Sequence, residues 1–155
     1  MKSASKSHEG EEPLPNDMSH KILTYADSNV LIYAVNQKNF NLRLKALSIL
    51  GDKRREYLAS EFLRLETLPY AVNGGRQKEI RFLQTFFDRH VSQWVDDERG
   101  LFSTASSLIE RYNIQLLDAL HLAAAMEYDA DFVTGEKPTK PFYQAYDRCL
   151  WIADI

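Results

Sequence analysis

From about Lys21 onward, short apolar runs alternate with longer amphipathic stretches. Ile22-Leu23-Thr24-Tyr25-Ala26-Asp27 is short and mostly apolar, the pattern of a buried strand. Ser28 or Asn29 is placed to cap an apolar helix from Val30 to Val35. Asn41 to Leu50 sets Leu42, Ala46, Ile49 and Leu50 at helical spacing, with Arg43 and Lys45 facing away and Gly51 as the stop. Tyr57-Leu58-Ala59 reads as a second strand running into Ser60, which caps a helix through about Ala71. Asn73-Gly74-Gly75 is a turn. Arg76 to Arg89 predicts one amphipathic helix with Ile80, Leu83, Phe86 and Phe87 on its inner side, and Val91 to Val95 a third strand. Two more helices are predicted, Gly100 to Tyr112 and the Ala-rich Leu117 to Tyr128. Asp131 to Thr134 is a fourth strand, a loop follows through Pro141, and Cys149 to Ile152 is a last, edge strand.

Strands alternating with helices predict a parallel sheet covered on both faces. The expected architecture is one α/β domain over residues 21–155, a three-layer α/β/α arrangement around a mostly parallel central sheet. Met1 to about His20 is polar, carries no apolar periodicity and reads as a disordered leader, with Met18 as an alternative start.

Composition narrows the class. A chain of 155 residues, 45% hydrophobic and 26% charged, is an ordinary globular domain. No run approaches the roughly 18 apolar residues of a membrane helix, and no signal-peptide pattern opens the chain. The single Cys149 has no internal disulfide partner and reads as a small buried hydrophobe, which fits a reducing, cytoplasmic setting. The net charge of −3 speaks against a broad electrostatic nucleic-acid binder. It leaves room for a carboxylate cluster whose bound cation meets phosphate.

Sites in open parallel sheets form beyond the carboxyl ends of the strands. Four acidic residues are expected there. Asp27 closes the first strand, Glu66 lies in the second turn of the helix after the second, Asp118 opens the Ala-rich helix, and Glu136 follows the fourth. Each has an ordinary alternative. Asp27 suits a helix cap, Asp118 suits the positive end of a helix, and Glu66 competes with Glu61. Residues five apart on a helix point about 140° apart, so only one of Glu61 and Glu66 faces the cluster. His121, one turn after Asp118, is either a phosphate contact or, the simpler reading, a packed or solvent-facing histidine. Phe82, Phe86, Phe87 and Trp94 fall at core spacing, and Arg76, Lys78 and Arg81 read as a solvated helix face.

Rival chemistries lack their residues. The chain has no Cys pair, no His-Glu-x-x-His, no phosphate-cradling glycine loop and no Gly-x-Ser-x-Gly elbow. An aspartate phosphotransfer domain needs an acidic pair after the first strand, where this chain has Ser28-Asn29. Hard oxygen donors remain, and these suit Mg²⁺ or Mn²⁺.

Four blocks now resemble a known family. Tyr25-Ala26-Asp27-Ser28-Asn29-Val30-Leu31-Ile32-Tyr33-Ala34 resembles the opening of PIN domains, including the VapC-like toxins. Ser60-Glu61-Phe62-Leu63-Arg64-Leu65-Glu66 resembles the second block, whose acidic ligand stands six residues after the Ser, a register that selects Glu66. Leu117-Asp118-Ala119-Leu120-His121-Leu122-Ala123-Ala124-Ala125 is similar to the third block and Phe132-Val133-Thr134-Gly135-Glu136-Lys137-Pro138 to the fourth. All four stand in order over nearly the whole chain beyond the leader. One departure stands out: the fourth block usually carries Asp or Asn where this chain has Glu136. The longer side chain displaces the carboxylate by more than about an ångström, against the strict octahedral demand of Mg²⁺.

The resemblance implies a metal-dependent endoribonuclease, the toxin of a toxin–antitoxin pair. Asp27, Glu66 and Asp118 would hold Mg²⁺ or Mn²⁺, with Glu136 as the fourth catalytic carboxylate. Ser28, Asn29 and Thr134 would support them, and Lys137 would meet phosphate. The partners implied are RNA, a small cognate antitoxin and a second copy in a homodimer, with no membrane. The alternative is a degenerate PIN domain that binds RNA or protein without cutting.

Overall fold

In a computed structural model, residues 20–36 and 38–155 are described; the expected leader, up to residue 19, lies outside the described residues. Five strands form one sheet in the order β3-β2-β1-β4-β5. They are β1 (Ile22–Ala26), β2 (Arg55–Ala59), β3 (Val91–Trp94), β4 (Asp131–Thr134) and β5 (Cys149–Trp151). Every pairing is parallel. The central strands are buried at their carboxyl halves: Thr24, Tyr25 and Ala26 in β1, and Phe132, Val133 and Thr134 in β4. Burial on both faces is what makes these strands continuous apolar runs.

The helices are α1 (Ser28–Val35), α2 (Phe40–Leu50), α3 (Glu61–Asn73), α4 (Gln77–Thr85), α5 (Glu98–Tyr112), α6 (Leu116–Glu127) and the single turn α7 (Phe142–Ala145). They flank the sheet. α1 packs against α2, α3 and α4, while α5 packs along α6, which in turn lies against β1 and β4. Ala119, Ala123, Ala124 and Ala125 are buried without residue, which explains the Ala content of α6: small side chains let it lie close to its neighbours. Among the described residues no helix is long and apolar enough to cross a membrane.

Several boundaries differ from the sequence reading, each for a local reason. Asp27, not Ser28 or Asn29, is the N-cap of α1: its side chain accepts from Ser28 N at 2.8 Å. β2 begins two residues early because Arg55 and Glu56 pair in register with Ile22 and Leu23. Arg55 is kept at this strand start by donating to Thr24 Oγ1 and Asp131 Oδ2, both at 2.9 Å. The expected single helix from Arg76 to Arg89 ends at Thr85 and continues as a π turn, Phe86–His90, in which Val91 N donates to Phe86 O. The wider turn lets the consecutive Phe86 and Phe87 both bury their rings, 5.2 Å apart edge to face.

Arg76 is also not simply solvated. Its guanidinium lies 4.4 Å over the Tyr70 ring and 3.1 Å from Glu79 Oε2. Lys78 and Arg81 are exposed as expected, and Phe82 and Trp94 are half-buried against the core. Inside the loop after β4, α7 buries Phe142 against Phe132 with ring centroids 5.8 Å apart. Cys149 is half-buried, its thiol donating to Phe142 O at 3.5 Å, and burial pushes that thiol up to about 12.

Candidate active site

Strand order reverses at β1, which lies between β2 and β4. The crevice beyond the carboxyl ends of β1 and β4 is therefore the place where an open parallel sheet offers a site. Asp27 stands at its floor, 3% exposed. One carboxylate oxygen accepts from Ser28 N, and the other accepts from Thr134 Oγ1 at 3.0 Å. Each oxygen keeps a further lone pair. The Asp27 backbone N donates to Val133 O at 2.9 Å, so the residue is fixed to β4 through main chain and side chain alike.

The adjoining loop is shaped by the same few residues. Asn29 Oδ1 accepts from Gly135 N at 2.9 Å, and Thr134 Oγ1 accepts from Glu136 N at 3.1 Å. The Glu136 carbonyl accepts from the Tyr143 hydroxyl at 2.7 Å. Asn29 and Thr134 thus tie the start of α1 to the end of β4, while Ser28 holds the Asp27 carboxylate locally. Lys137 is exposed on the rim.

Glu66, half-buried, is reached from α6. His121 Nε2–H donates to Glu66 Oε2 at 2.5 Å, and Ser28 adds a hydrogen bond. Glu61, in contrast, is exposed in the first turn of α3. His121 is 1% exposed and therefore packed, as its simpler reading had it, but packed with both nitrogens engaged. Its Nδ1 lies 2.6 Å from the Tyr25 hydroxyl, which lies 2.7 Å from Ser60 Oγ. Ser60 is the N-cap of α3, accepting from Leu63 N at 3.1 Å.

The carboxylates feel one another. Burial raises the Asp27 carboxyl above its usual range, and the charge of Glu66 adds to that, against His121, Ser28 and Thr134. Asp118, half-buried in the first turn of α6, is pushed up to about 6 by burial and then by the charges of Asp27, Glu136 and Glu66. For Glu66, burial works upward, but the hydrogen bond and charge of His121, helped by Ser28, outweigh it and hold the carboxyl low. Burial likewise drives the Tyr25 hydroxyl far above its usual range.

The charges of Asp27, Glu66 and Glu136 thus all act on Asp118. The four carboxylates do not close into a ligand shell: among the described residues, no three Asp, Glu, His or Cys side chains are arranged to hold one metal ion. Glu66 accepts from His121, and Asp27 accepts from Ser28 and Thr134. The donor chemistry nonetheless fits a hard divalent cation: carboxylate oxygens are hard donors, and a cation would offset the charges of Asp27, Glu136 and Glu66 that act on Asp118.

The sequence reading took Tyr25 as one more apolar position and gave Ser60 only a capping role. The signal for their further part was Tyr25 itself, since a tyrosine in a fully buried strand needs a partner for its hydroxyl.

The sequence matches the profile of the PIN domain over residues 24–139, and the chain belongs to the PIN domain family. No curated protein matches it. Among solved structures, a toxin-antitoxin complex from Klebsiella pneumoniae is similar at a TM-score of 0.62 and 18% identity, covering 83% of this chain and 97% of the other. FitAcB from Neisseria gonorrhoeae gives 0.56 and 16%, covering 83% and 96%. VapBC2 from Rickettsia felis, bound to a DNA fragment from its promoter, gives 0.55 and 18%, covering 74% and 89%. At these identities the likeness is one of fold: a parallel sheet of PIN type shared with toxin–antitoxin proteins.

Proposed function

We propose that the protein is a Mg²⁺- or Mn²⁺-dependent endoribonuclease, the toxin of a toxin–antitoxin pair. What supports this is that Asp27 at the end of β1, Glu66 on α3 and Glu136 after β4 all act by their charge on Asp118 in the first turn of α6. Unrelieved repulsion of this kind costs stability, and a divalent cation relieves it. Asp27, Glu66 and Asp118 would hold the cation, with Glu136 as the fourth carboxylate. A cation bound there lowers the pKa of a water and offsets charge on a phosphodiester.

The chain's own residues do the rest. Thr134 and Ser28 hold the Asp27 carboxylate in place, and Asn29 fixes the Gly135 loop that carries Glu136. Lys137 on the rim meets a phosphate. The solved structures of similar fold include complexes with antitoxins, which supports a small cognate antitoxin as partner. RNA as substrate, a homodimer and a cytoplasmic setting belong to the same reading.

The deciding assay incubates mixed RNA with Mg²⁺, Mn²⁺ or EDTA and compares the wild type with Asp27→Asn. Cleavage is expected with either metal, none with EDTA, and none from the folded variant. One observation favours a second reading, a domain that binds RNA without cutting: among the described residues no three donors close on a common point. Metal-independent RNA binding by the wild type, with no cleavage under any condition, would establish it.

A further inference from the structure

Ser60, the N-cap of α3, and Glu66 within that helix lie six residues apart, and a chain of hydrogen bonds leaves at the first and returns at the second. It runs from Leu63 N to Ser60 Oγ (3.1 Å), to the Tyr25 hydroxyl on β1 (2.7 Å), to His121 Nδ1 on α6 (2.6 Å), and from Nε2 to Glu66 Oε2 (2.5 Å). Tyr25, Ser60 and His121 are each at most 1% exposed. The imidazole is held between two rings, Phe62 at 5.1 Å and Tyr25 at 5.7 Å. Its orientation is therefore fixed by packing, and both nitrogens are paired, as burial requires.

A purely structural histidine needs a partner on each nitrogen, but it has no need of a carboxylate drawn in among like charges. The Glu66 side chain is 31% exposed and has three rotatable bonds. Released, it would turn outward to water and away from the charges of Asp27 and Asp118. The bond to His121, with one from Ser28 beside it, opposes that escape. Hydrogen-bonded supports of this kind govern how well a ligating carboxylate meets its ion.

We infer that His121, pinned by Tyr25 and Ser60, is a positioning residue that keeps Glu66 directed at the acidic cluster and so sets the affinity of the cluster for a divalent cation. The inference rests on the proposed function, and it concerns a residue outside the four carboxylates.

The test uses the full chain. Mn²⁺ binding is measured by electron paramagnetic resonance and calorimetry for the wild type, Tyr25→Phe and Glu66→Gln, and the imidazole protons are recorded by NMR in metal-free protein. Tyr25→Phe keeps the ring and removes only the hydroxyl. It is expected to weaken Mn²⁺ binding by about tenfold. A slowly exchanging, downfield His121 Nε2–H proton is expected in the wild type, shifted in Tyr25→Phe and lost in Glu66→Gln.

If Glu66→Gln weakens Mn²⁺ binding while folded Tyr25→Phe binds as the wild type does, the positioning role is overturned and the nuclease reading stands. If neither Glu66→Gln nor Asp27→Asn changes Mn²⁺ binding, the metal site itself is wrong and the positioning role falls with it. Should Tyr25→Phe not fold, the wild-type spectrum decides, because absence of a protected Nε2–H proton removes the bond on which the inference stands.

Discussion

Thr134 Oγ1 donates to Asp27 Oδ2 across 3.0 Å, joining residues 107 positions apart at the carboxyl ends of adjacent strands. The same hydroxyl accepts from Glu136 N, so one side chain sets both the Asp27 carboxylate and the start of the loop carrying Glu136. Thr134→Val keeps the shape and removes both bonds. A lost hydrogen bond to a buried charged group costs about 2 kcal/mol. Denaturant unfolding should show that loss, RNA cleavage per folded molecule should fall about tenfold, and Thr134→Ser should restore both. Equal stability of the valine variant and the wild type would show that the hydroxyl is idle.

Gly135 is constrained by close approach. A Cβ there would lie 2.6 Å from Tyr33 Cε2 and 3.1 Å from Asn29 Cγ. Gly135→Ala must therefore displace Tyr33 or lift the loop from Asn29, at a cost of about 1–2 kcal/mol. The expected outcome is a lower Tm together with lost cleavage. Tyr33→Ala, which makes space, should recover part of the stability when combined with it. Additive losses in the double variant would contradict the steric account.

The strands were legible because their cores are short apolar runs: all five end within a residue of where the pattern put them, and four begin at the same residue. What the pattern could not show was set by tertiary contacts. β2 begins at Arg55, because the charged Arg55 and Glu56 belong to the strand only through pairing with Ile22 and Leu23. The π turn at Phe86–His90 buries two consecutive phenylalanines that an ordinary amphipathic helix would also place inward, so the apolar pattern does not distinguish the two. At the site, Asp27 and Glu136 stand out by falling beyond strand ends, whereas Asp118 opens a helix that follows another helix. The Tyr25–His121–Glu66 contacts did not, since they join residues from three elements, and only the fold reveals which histidine nitrogen meets which partner.

The opposite edge of the sheet offers a contrast. Asp131 accepts from Arg55 and from Arg148, both at 2.9 Å, where β2 and β4 begin. Asp131→Ala removes a charged partner from each guanidinium, leaving Arg55 with Thr24 and Asp52 and Arg148 with Asp129, and should cost about 2 kcal/mol. Because these residues lie at the strand starts and the acidic cluster lies at the strand ends, cleavage per folded molecule should stay within twofold of the wild type. A large loss of activity at full stability would place Asp131 in the chemistry and overturn this division.

Asp118 should make the metal-free protein sensitive to pH in a direction opposite to a salt-bridged carboxylate. Its carboxyl is raised from 3.8 to about 6 by burial and by the charges of Asp27 and Glu136. At low pH both folded and unfolded chains hold the proton and nothing is lost. As pH rises through 3.8 the unfolded chain releases its proton first, so folding loses stability until pH passes about 6, where the loss is complete. Solvent screening at a half-buried position reduces the cost to roughly 1 kcal/mol. Asp27, also raised, adds in the same sense, whereas Glu66, held low, acts in the other. Asp118→Asn should therefore match the wild type at pH 4 and exceed it in stability at pH 7.5 when metal is absent. Adding Mn²⁺ at pH 7.5 should raise the Tm of the wild type and leave that of Asp118→Asn nearly unchanged, while at pH 5 protons compete and the wild-type response shrinks. A wild-type Tm that Mn²⁺ raises equally at pH 5 and pH 7.5 would separate cation binding from the ionisation of this carboxylate.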